Sequence, residues 1–230
     1  IPEPGYPNYS QSSIIKHTCM IQVLIVDDHT IVRKGIKQLL DDTTDIRVSG
    51  EAEHAADMLR QIHQHSFDVV ILDISLPGRS GVEALKQLKS IRADLPVLIL
   101  SMYPEDQYAL RVIKSGAAGY LTKESAPAEL ETAIRKVAAG KRYISSKVAD
   151  TLADHLNRPA GTPDYKTLSD REFEVLRRIA SGETLTEISE NLSLSVKTIS
   201  TYRTRIMNKL DLSNNSELIR YAIQYNLIDL

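Results

Sequence analysis

Three runs of apolar, largely β-branched residues are the feature that most constrains the fold of this chain. They are IQVLIV (21–26), VVILDI (69–74) and VLILSM (97–102), and each has the length of a strand. Because these runs are apolar almost throughout instead of alternating, both faces of each strand should be buried, as in a parallel sheet. Two weaker strand candidates are IRVSGEA (46–52) and GYLTK (119–123).

Segments with the apolar spacing of helices separate these five runs. Strands that alternate with helices predict right-handed crossover connections, which produce a parallel sheet covered by helices on both faces. The first part of the chain is therefore predicted to be a doubly wound α/β domain with a five-stranded parallel sheet.

The last part of the chain has a different pattern. Residues 157–166, NRPAGTPDYK, carry two prolines and a glycine and are typical of a linker. Beyond them only helical spacing remains. Ser169 and Glu172 stand at the two positions of a capping box, so a helix should begin there and end near Gly182. Two further helices joined by the short turn SLS (193–195) predict a helix-turn-helix.

These patterns divide the chain into four parts. We expect a disordered extension or a non-native remnant at residues 1–19 and the α/β domain at residues 20–142. A linker at residues 143–164 and a small all-α helix-turn-helix domain at residues 165–230 should follow.

The composition excludes several classes of protein. The single cysteine, Cys19, rules out an internal disulfide and fits a reducing compartment such as the cytoplasm. No apolar run approaches the roughly 20 residues that cross a bilayer, so we expect no membrane segment. The net charge of −2 gives the whole chain no attraction to nucleic acid, so any such site must be local.

Polar side chains stand where four of the five predicted strands end. Asp27 and Asp28 follow the first strand, Asp73 closes the third, Ser101 the fourth and Lys123 the fifth. Each of these residues taken alone is more typical of a turn, a helix cap or a solvated charge. Because ligands bind beyond the carboxyl ends of parallel strands, their coincidence at matched positions favours one shared site.

The chemistry of this group points to phosphoryl transfer. Carboxylates at close range repel one another, and a divalent cation removes that conflict. Hard oxygen ligands suit Mg²⁺, which prefers one or two carboxylates together with a phosphate oxygen. Asp73 could then attack phosphorus and form an acyl phosphate, while Ser101 and Lys123 hold the phosphoryl oxygens. The sequence therefore predicts phosphorylation of Asp73 with Mg²⁺ as cofactor.

Basic charge is concentrated on the second helix of the predicted helix-turn-helix. Residues 196–210 contain four basic residues and no acid, whereas residues 165–230 contain nine of each sign. Such a local concentration is typical of a surface that contacts nucleic acid phosphates. Thr, Ser and Tyr residues between the basic ones can bond phosphates or base edges, so this helix is predicted to bind double-stranded DNA.

The motifs VLIVDDH, VVILDISLPGRSG, PVLILSM and GAAGYLTK resemble those of the receiver domain of two-component response regulators. The resemblance covers about residues 20–140, and it implies a flavodoxin-like fold with phosphorylation of Asp73 by a sensor histidine kinase. It further implies that Asp28 and Asp73 bind Mg²⁺ directly. Asp27 would act mostly through water, and the carbonyl of Ser75 would complete the protein ligands.

The same resemblance assigns roles in the response to phosphorylation. Ser101 would follow the phosphoryl group, Tyr120 would change rotamer with it, and Lys123 matches the lysine of the family. Met102 departs from the Ala or Gly of many receivers, and its bulk predicts restricted access to the phosphoryl group. Glu124 replaces the frequent proline, which should alter the loop without abolishing the chemistry.

The string LSDREFEVLRRIASGETLTEISENLSLSVKTISTYRTRIMNKL resembles the LuxR-type helix-turn-helix domain, over about residues 165–228. A receiver joined to this domain is similar to the NarL/FixJ class of response regulators. The alignment places three side chains on base edges, namely Ser200, Thr201 and Thr204. It places five on the DNA backbone, namely Lys197, Thr198, Tyr202, Arg205 and Lys209.

This resemblance implies a phosphorylation-activated transcription regulator that binds promoter DNA and forms a homodimer on activation. Such a protein is not an enzyme beyond its own phosphoryl transfer and slow autodephosphorylation. Two alternatives stay open. A phosphatase with an aspartyl-phosphate intermediate generally needs a second aspartate two residues after Asp73, where this chain has Ser75. A regulator that works without phosphorylation conflicts with the acidic set and Lys123, although Met102 leaves that reading open.

Overall fold

The computed structural model describes residues 20–76, 81–146, 148–149, 165–225 and 227–228. Its first domain contains a five-stranded parallel sheet in the order β2-β1-β3-β4-β5. The strands are β1 (Ile21–Val26), β2 (Ile46–Ala52), β3 (Val69–Asp73), β4 (Val97–Ser101) and β5 (Gly119–Thr122). The prediction of a doubly wound α/β domain is therefore confirmed.

Helices cover both faces of this sheet. They are α1 (Thr30–Asp41), α2 (Ala55–Gln64), α3 (Gly81–Ile91), α4 (Glu105–Lys114) and α5 (Ala126–Ala138). Helices α1 and α5 pack on one face, and α2, α3 and α4 pack on the other. The sheet is consequently a buried middle layer, and every residue of β3 and β4 is buried.

The strand order places the predicted site residues together. It reverses between β1 and β3, because the chain passes from β1 to β2 on one side and then to β3 on the other. Val26 and Leu72 are paired across these two strands, so the next residues, Asp27 just after β1 and Asp73 at the end of β3, lie side by side. Ser101 at the end of β4 is paired with Thr122 of β5, which brings Lys123 to the same edge.

The second domain is entirely helical in the part of the chain that the structure describes. A 3₁₀ turn (Tyr165–Thr167) precedes α6 (Asp170–Ala180), α7 (Leu185–Asn191), α8 (Val196–Leu210) and α9 (Asn215–Gln224). The predicted capping box is confirmed, since the Ser169 hydroxyl accepts from the Glu172 N–H and the Glu172 carboxylate accepts from the Ser169 N–H. Gly182 follows α6 with a φ of +92°, a conformation that favours glycine. Helices α7 and α8 form the predicted helix-turn-helix.

The two domains share one apolar core. Tyr108 of α4 and Phe173 of α6 are both buried and meet edge to face, with ring centroids 5.1 Å apart. Tyr165 also stacks on Phe173, with ring centroids 5.6 Å apart. The buried residues of the helical domain are continuous through these rings with the core between the sheet and α2, α3 and α4. The helical domain is therefore docked on the α4 side of the receiver-like domain.

Ion pairs surround this aromatic contact. Asp170 accepts from Lys86 of α3 at 2.7 Å and from Arg111 of α4 at 3.3 Å. Arg171 pairs with Glu83 of α3 at 3.1 Å. The first turn of α6 is thus held by two helices of the α/β domain, in contacts that the sequence did not reveal.

The predicted extension and linker fall largely on residues that the structure does not describe. The extension at residues 1–19 and most of the linker at residues 143–164 lie outside the described residues, so the domain boundaries stay a prediction. Tyr143, just past the predicted end of the α/β domain, forms a parallel bridge with Gly119 of β5. Among the described residues, no helix has the length and apolar character to cross a membrane.

Gly81 allows the start of α3 to approach the end of β3. Its N–H donates to the carbonyl of Ile74 at 2.8 Å, and a Cβ at this position would lie 2.3 Å from the carbonyl oxygen of Asp73. We expect Gly81→Ala to lower the free energy of unfolding by about 1–3 kcal/mol, because the backbone around Asp73 must shift. Urea denaturation at neutral pH measures this change.

The matched control is Gly35→Ala in α1, where nothing lies within 4 Å of the added Cβ. We expect this variant to gain up to about 1 kcal/mol from helix propensity. Equal stability of the Gly81→Ala and Gly35→Ala variants would contradict the close approach.

Candidate functional site

Two buried carboxylates form the centre of the site. Asp27 and Asp73 are each only 2% exposed. The Asp27 N–H donates to the carbonyl of Ala52 at 3.1 Å, which extends the pairing of β1 and β2 to this residue. One oxygen of Asp73 accepts from the Ser75 N–H at 3.0 Å, so its carboxylate is oriented by its own loop.

Lys123 joins these carboxylates. Its Nζ lies 2.7 Å from Oδ2 of Asp27 and 2.7 Å from Oδ2 of Asp73, and its own N–H donates to the carbonyl of Ser101 at 2.7 Å. The bond to Ser101 fixes the start of the loop that carries the lysine. One ammonium therefore bridges the ends of β1 and β3 from a third strand, β5.

Burial and the lysine act in opposite directions on this group. Burial raises the pKa of the Asp73 carboxyl above its ordinary value, although the Lys123 ammonium and the Ser75 N–H act to lower it. Burial alone would lower the pKa of Lys123, but the carboxylates of Asp73 and Asp27 raise it above its ordinary value. The two carboxylates thus favour the charged form of Lys123, whereas burial opposes the charged form of Asp73.

The ligand atoms needed for a divalent cation are close together. One donor atom from each of Asp27, Asp28, His29 and Asp73 can be chosen so that all lie within 4.8 Å of one another. Six-coordinate Mg²⁺ has bonds of about 2.1 Å, so its opposite ligands are about 4.2 Å apart. The residues present therefore fit such an ion. The predicted ligand from Ser75 is its carbonyl oxygen, and the hydrogen bond described above involves its N–H instead.

The two predicted switch residues both contact Tyr103 in the loop after β4. Ser101 is fully buried, and its Oγ accepts from the Tyr103 N–H at 3.1 Å. The buried Tyr120 donates its hydroxyl to the Tyr103 carbonyl at 2.6 Å. Burial raises the pKa of the Tyr120 phenol, which keeps this donor protonated. The side chain of Met102, between Ser101 and Tyr103 in the chain, is 71% exposed, so it extends into solvent.

Tyr103 connects this loop to the helical domain. Its ring stacks on Tyr108 with centroids 4.8 Å apart, and the guanidinium of Arg177 in α6 lies 3.8 Å from its centroid. Arg177 also donates from Nε to the carbonyl of Leu227 at 2.6 Å. In the reverse direction, Arg111 of α4 lies over Phe173 at 4.6 Å. Each domain therefore places an arginine on an aromatic ring of the other domain.

Arg33 is a site residue that the sequence reasoning missed. It is buried in α1, and its Nη1 donates to the carbonyl of Asp27 at 2.6 Å. Its other nitrogens pair with Glu51 at 3.3 Å and Glu53 at 2.6 Å. A signal was present, because Arg33 lies three residues before the buried Ile36 and so occupies a core position of an amphipathic helix.

His29 was missed as well, although it directly follows the acidic pair. Its Nδ1 lies 2.8 Å from Oδ1 of Asp28 and 3.2 Å from Oδ1 of Asp27. Its N–H donates to the same Asp27 oxygen at 2.8 Å. The imidazole is thus part of the acidic cluster.

The predicted DNA-binding helix, α8, presents its polar face to solvent. Ile199, Ile206 and Leu210 are buried against α6 and α7. The predicted DNA contacts that are exposed are Lys197, Ser200, Thr201, Thr204, Arg205 and Lys209, and the half-buried ones are Thr198 and Tyr202. The docked arrangement of the two domains therefore leaves most of these side chains accessible.

Four of these side chains have hydrogen-bond partners within their own domain. Oγ1 of Thr198 lies 2.8 Å from Oγ of Ser195. The hydroxyls of Thr201 and Thr204 donate to helix carbonyls four residues back, at 2.9 and 3.1 Å. Lys209 donates to Glu172 at 2.6 Å. Burial would raise the pKa of Glu172, but Lys209 and the Ser169 N–H hold it below its ordinary value. Lys197 is therefore a better probe of DNA phosphate contact than Lys209.

Comparisons with known protein families agree with the two-domain division. The family model described as response regulator receiver domain matches residues 23–135. The model described as bacterial regulatory proteins, luxR family, matches residues 166–222.

Individual relatives match over nearly their whole length. The chain is 40% identical over 209 residues to the response regulator UvrY of Escherichia coli K12, covering 90% of this chain and 96% of that protein. It is 38% identical to the response regulator GacA of Pseudomonas aeruginosa, covering 91% of this chain and 99% of that protein.

Solved structures show the same two-domain likeness. The RcsB response regulator of Salmonella typhimurium matches with a TM-score of 0.69 at 28% identity, covering 90% of this chain and 98% of that one. RcsB of Salmonella enterica serovar Typhimurium, bound to promoter P1flhDC in the presence of phosphomimetic BeF₃⁻, matches with a TM-score of 0.56 at 31% identity. That match covers 87% of this chain and 97% of that one.

The ionised Asp73 should destabilise the metal-free protein at neutral pH. Folding raises the pKa of the Asp73 carboxyl, so the folded state binds this proton more tightly than the unfolded state does. The free energy of unfolding therefore falls when the pH rises and the proton is lost. We expect Asp73→Asn to raise the melting temperature by a few degrees in buffer with EDTA at neutral pH. This gain should shrink in acid, where the wild-type carboxyl is protonated.

Asp45→Asn is the matched control with the opposite sign. Arg135 donates to both Asp45 oxygens, at 2.8 and 2.9 Å, and this pairing lowers the pKa of Asp45. Its stabilising effect is present above the ordinary aspartate pKa and lost in acid, so this variant should melt lower at neutral pH. If Asp73→Asn also melted at a lower temperature, the destabilising effect assigned to the buried Asp73 carboxylate would be wrong.

Proposed function

The chain belongs to the response regulators that join a receiver domain to a LuxR-type DNA-binding domain, and we propose that phosphorylation of Asp73 controls its binding to promoter DNA. The observation that carries this proposal is the position of Asp73. It is buried where the strand order reverses, 2.7 Å from Lys123 and beside two further carboxylates.

Phosphorylation would begin with attack by an Asp73 carboxylate oxygen on the phosphorus of a phosphohistidine in a sensor histidine kinase. The new O–P bond forms as the P–N bond breaks, and the histidine regains a proton. Lys123 already contacts Asp73, so its ammonium is placed to bind an oxygen of the transferred group. Mg²⁺ held by Asp28, Asp73 and the Ser75 carbonyl, with Asp27 acting through water, would offset the charge of that group.

The same site supports only a limited reaction. Hydrolysis of the acyl phosphate would return Asp73 to its free form, and Ser75 offers no carboxyl two residues after the nucleophile to act as a general acid. We therefore propose slow autodephosphorylation and no turnover of other substrates. Since the proposed target is promoter DNA, we place the protein in the cytoplasm.

The phosphoryl group would be sensed through Tyr103. If Ser101 turns to bond a phosphoryl oxygen, the Tyr103 N–H loses the acceptor that now lies 3.1 Å away. The loop after β4 would then shift, together with the Tyr120 hydroxyl bonded to the Tyr103 carbonyl. Because the Tyr103 ring lies against Arg177, this shift would weaken the docking of the helical domain.

DNA binding would use α8 in the major groove. The relative RcsB is bound to a promoter in the presence of a phosphomimetic, which supports this role for the matching domain. A single helix-turn-helix reads few base pairs, so specificity requires a homodimer on paired half-sites. We propose that phosphorylation favours that homodimer and thereby raises affinity for the promoter.

Phosphate incorporation tests the first step. Wild-type protein should incorporate acid-labile phosphate from acetyl phosphate in the presence of Mg²⁺, and Asp73→Asn should abolish this because the nucleophile is gone. Asp28→Ala should instead shift the Mg²⁺ titration of labelling to higher concentration. Asp94→Asn, an exposed carboxylate in an ion pair with Arg92, is the control and should label normally. Labelling of Asp73→Asn would place the acceptor elsewhere.

Two substitutions in α8 test the docking on DNA. Lys197→Ala should weaken binding to every duplex and reduce the slope of log K against log salt by about one unit, because it removes one phosphate contact. Thr204→Ala should relax discrimination at one base position, at a cost of about 1–3 kcal/mol for the preferred base only.

Binding isotherms at several salt concentrations on a duplex selected from a random pool, and on its scrambled form, separate these effects. Lys141→Ala in the receiver domain is the charge control and should leave both isotherms unchanged. The proposed orientation of α8 would be wrong if Lys197→Ala changed the sequence preference while Thr204→Ala weakened binding to every duplex equally.

A further inference from the structure

We propose that His29 is an additional ligand of the metal ion bound beside Asp73, and that it makes the site prefer a first-row transition ion such as Mn²⁺ over Mg²⁺. This inference rests on the metal site proposed above. It adds a nitrogen donor to a set that otherwise consists of oxygen atoms.

The distances carry the inference. Ligands that are neighbours around a six-coordinate ion with bonds of about 2.1 Å stand about 3 Å apart. Nδ1 of His29 lies 2.8 Å from Oδ1 of Asp28 and 3.2 Å from Oδ1 of Asp27. The imidazole nitrogen thus already has the spacing from Asp28, the proposed direct ligand, that two bonds to one ion require, and it also lies beside Asp27, which would act through water.

The imidazole has no role in capping the helix that it precedes, so its described polar contacts are those to the acidic cluster. His29 occupies the N-cap position of α1, but its side chain makes no capping hydrogen bond there. The side chain is 62% exposed, so the ring is free to adjust to an ion. The His29 N–H donates to Oδ1 of Asp27 at 2.8 Å, which ties the residue to the acidic cluster.

The chemistry of the donors then determines which ions gain. Carboxylate, carbonyl and water ligands suit Mg²⁺ and Mn²⁺ alike, whereas imidazole favours the later and softer divalent ions. Mg²⁺ keeps several waters and gains little from a nitrogen donor. A site of two or three carboxylates with one imidazole should therefore discriminate between Mn²⁺ and Mg²⁺ more strongly than the carboxylates alone.

The competing explanation is that His29 only forms an ion pair with the two aspartates. In that case an incoming cation would displace the imidazole instead of binding it. The two explanations differ in whether the nitrogen is bonded to the ion, and this can be observed directly.

The experiment uses the full chain loaded with Mn²⁺ and measured by electron spin-echo envelope modulation. We expect the ¹⁴N modulation of a directly bonded imidazole in the wild type. Protein labelled with ¹⁵N-histidine should replace that pattern by the ¹⁵N one, which identifies the donor as histidine. His29→Gln should remove it. His54→Gln is the matched control, because His54 is also an exposed N-cap residue without a side-chain capping bond, at the start of α2.

Calorimetric titration provides the second readout. The affinity for Mn²⁺ should fall at least about tenfold in His29→Gln, the scale reached even by losing a residue that only supports a metal ligand, while the affinity for Mg²⁺ stays as in the wild type. Saturable binding of both ions without histidine modulation, and with an unchanged Mn²⁺ to Mg²⁺ ratio in His29→Gln, overturns the inference and leaves the metal site standing. Binding that persists unchanged in Asp28→Ala overturns the metal site itself.

Discussion

The ammonium of Lys123 between Asp27 and Asp73 is the interaction on which the rest of this structure depends. Two aspartates at the ends of adjacent strands could not both remain ionised and buried without a positive charge between them. Lys123, which follows a third strand, supplies that charge at 2.7 Å from each carboxylate. The arrangement holds the Asp73 carboxylate, the proposed nucleophile, in a buried position, and a bound metal ion or phosphoryl group would change the balance of charge around the same lysine.

The contacts of Tyr103 explain how such a change could reach the second domain. The Tyr103 N–H donates to the Ser101 hydroxyl, and the Tyr103 carbonyl accepts from the Tyr120 hydroxyl. The guanidinium of Arg177 in α6 lies over the Tyr103 ring. One residue therefore reads both switch side chains and touches the helical domain. The side chains of α8 that are proposed to contact DNA are already largely exposed in the docked form. Release of the domain would accordingly act less by uncovering α8 than by freeing two copies to bind paired half-sites together.

The fold and the centre of the site could be predicted from the sequence, because both follow from local patterns. Continuous apolar runs fixed the strands, and a parallel sheet places all strand ends at one edge, which brought Asp27, Asp73 and Lys123 together. Arg33 was missed because a buried arginine on an apolar stripe resembles a solvated helix charge until its partners, Glu51 and Glu53, are seen. These partners lie 18 and 20 residues away on and after β2, so no local pattern connects them.

The contact between the domains was beyond sequence reasoning for a different reason, since the same few residues serve folding and docking at once. Ser169 and Glu172 cap α6, and the pattern SDRE reveals that function. Asp170 and Arg171 complete the turn and read as ordinary first-turn residues, yet they hold Lys86, Arg111 and Glu83 of the receiver domain. Acids near a helix N-terminus are favoured by the helix dipole whatever they contact, so their presence needs no partner to explain it. The capping bonds at the start of α6 lie within the helical domain. Its ion pairs, the ring contact between Phe173 and Tyr108, and the hydrogen bonds from Arg111 to the carbonyls of Leu168 and Tyr165 cross the interface. The proposed switch, which shifts an existing equilibrium, requires that this helix start keep its own capping bonds when the contacts across the interface are lost.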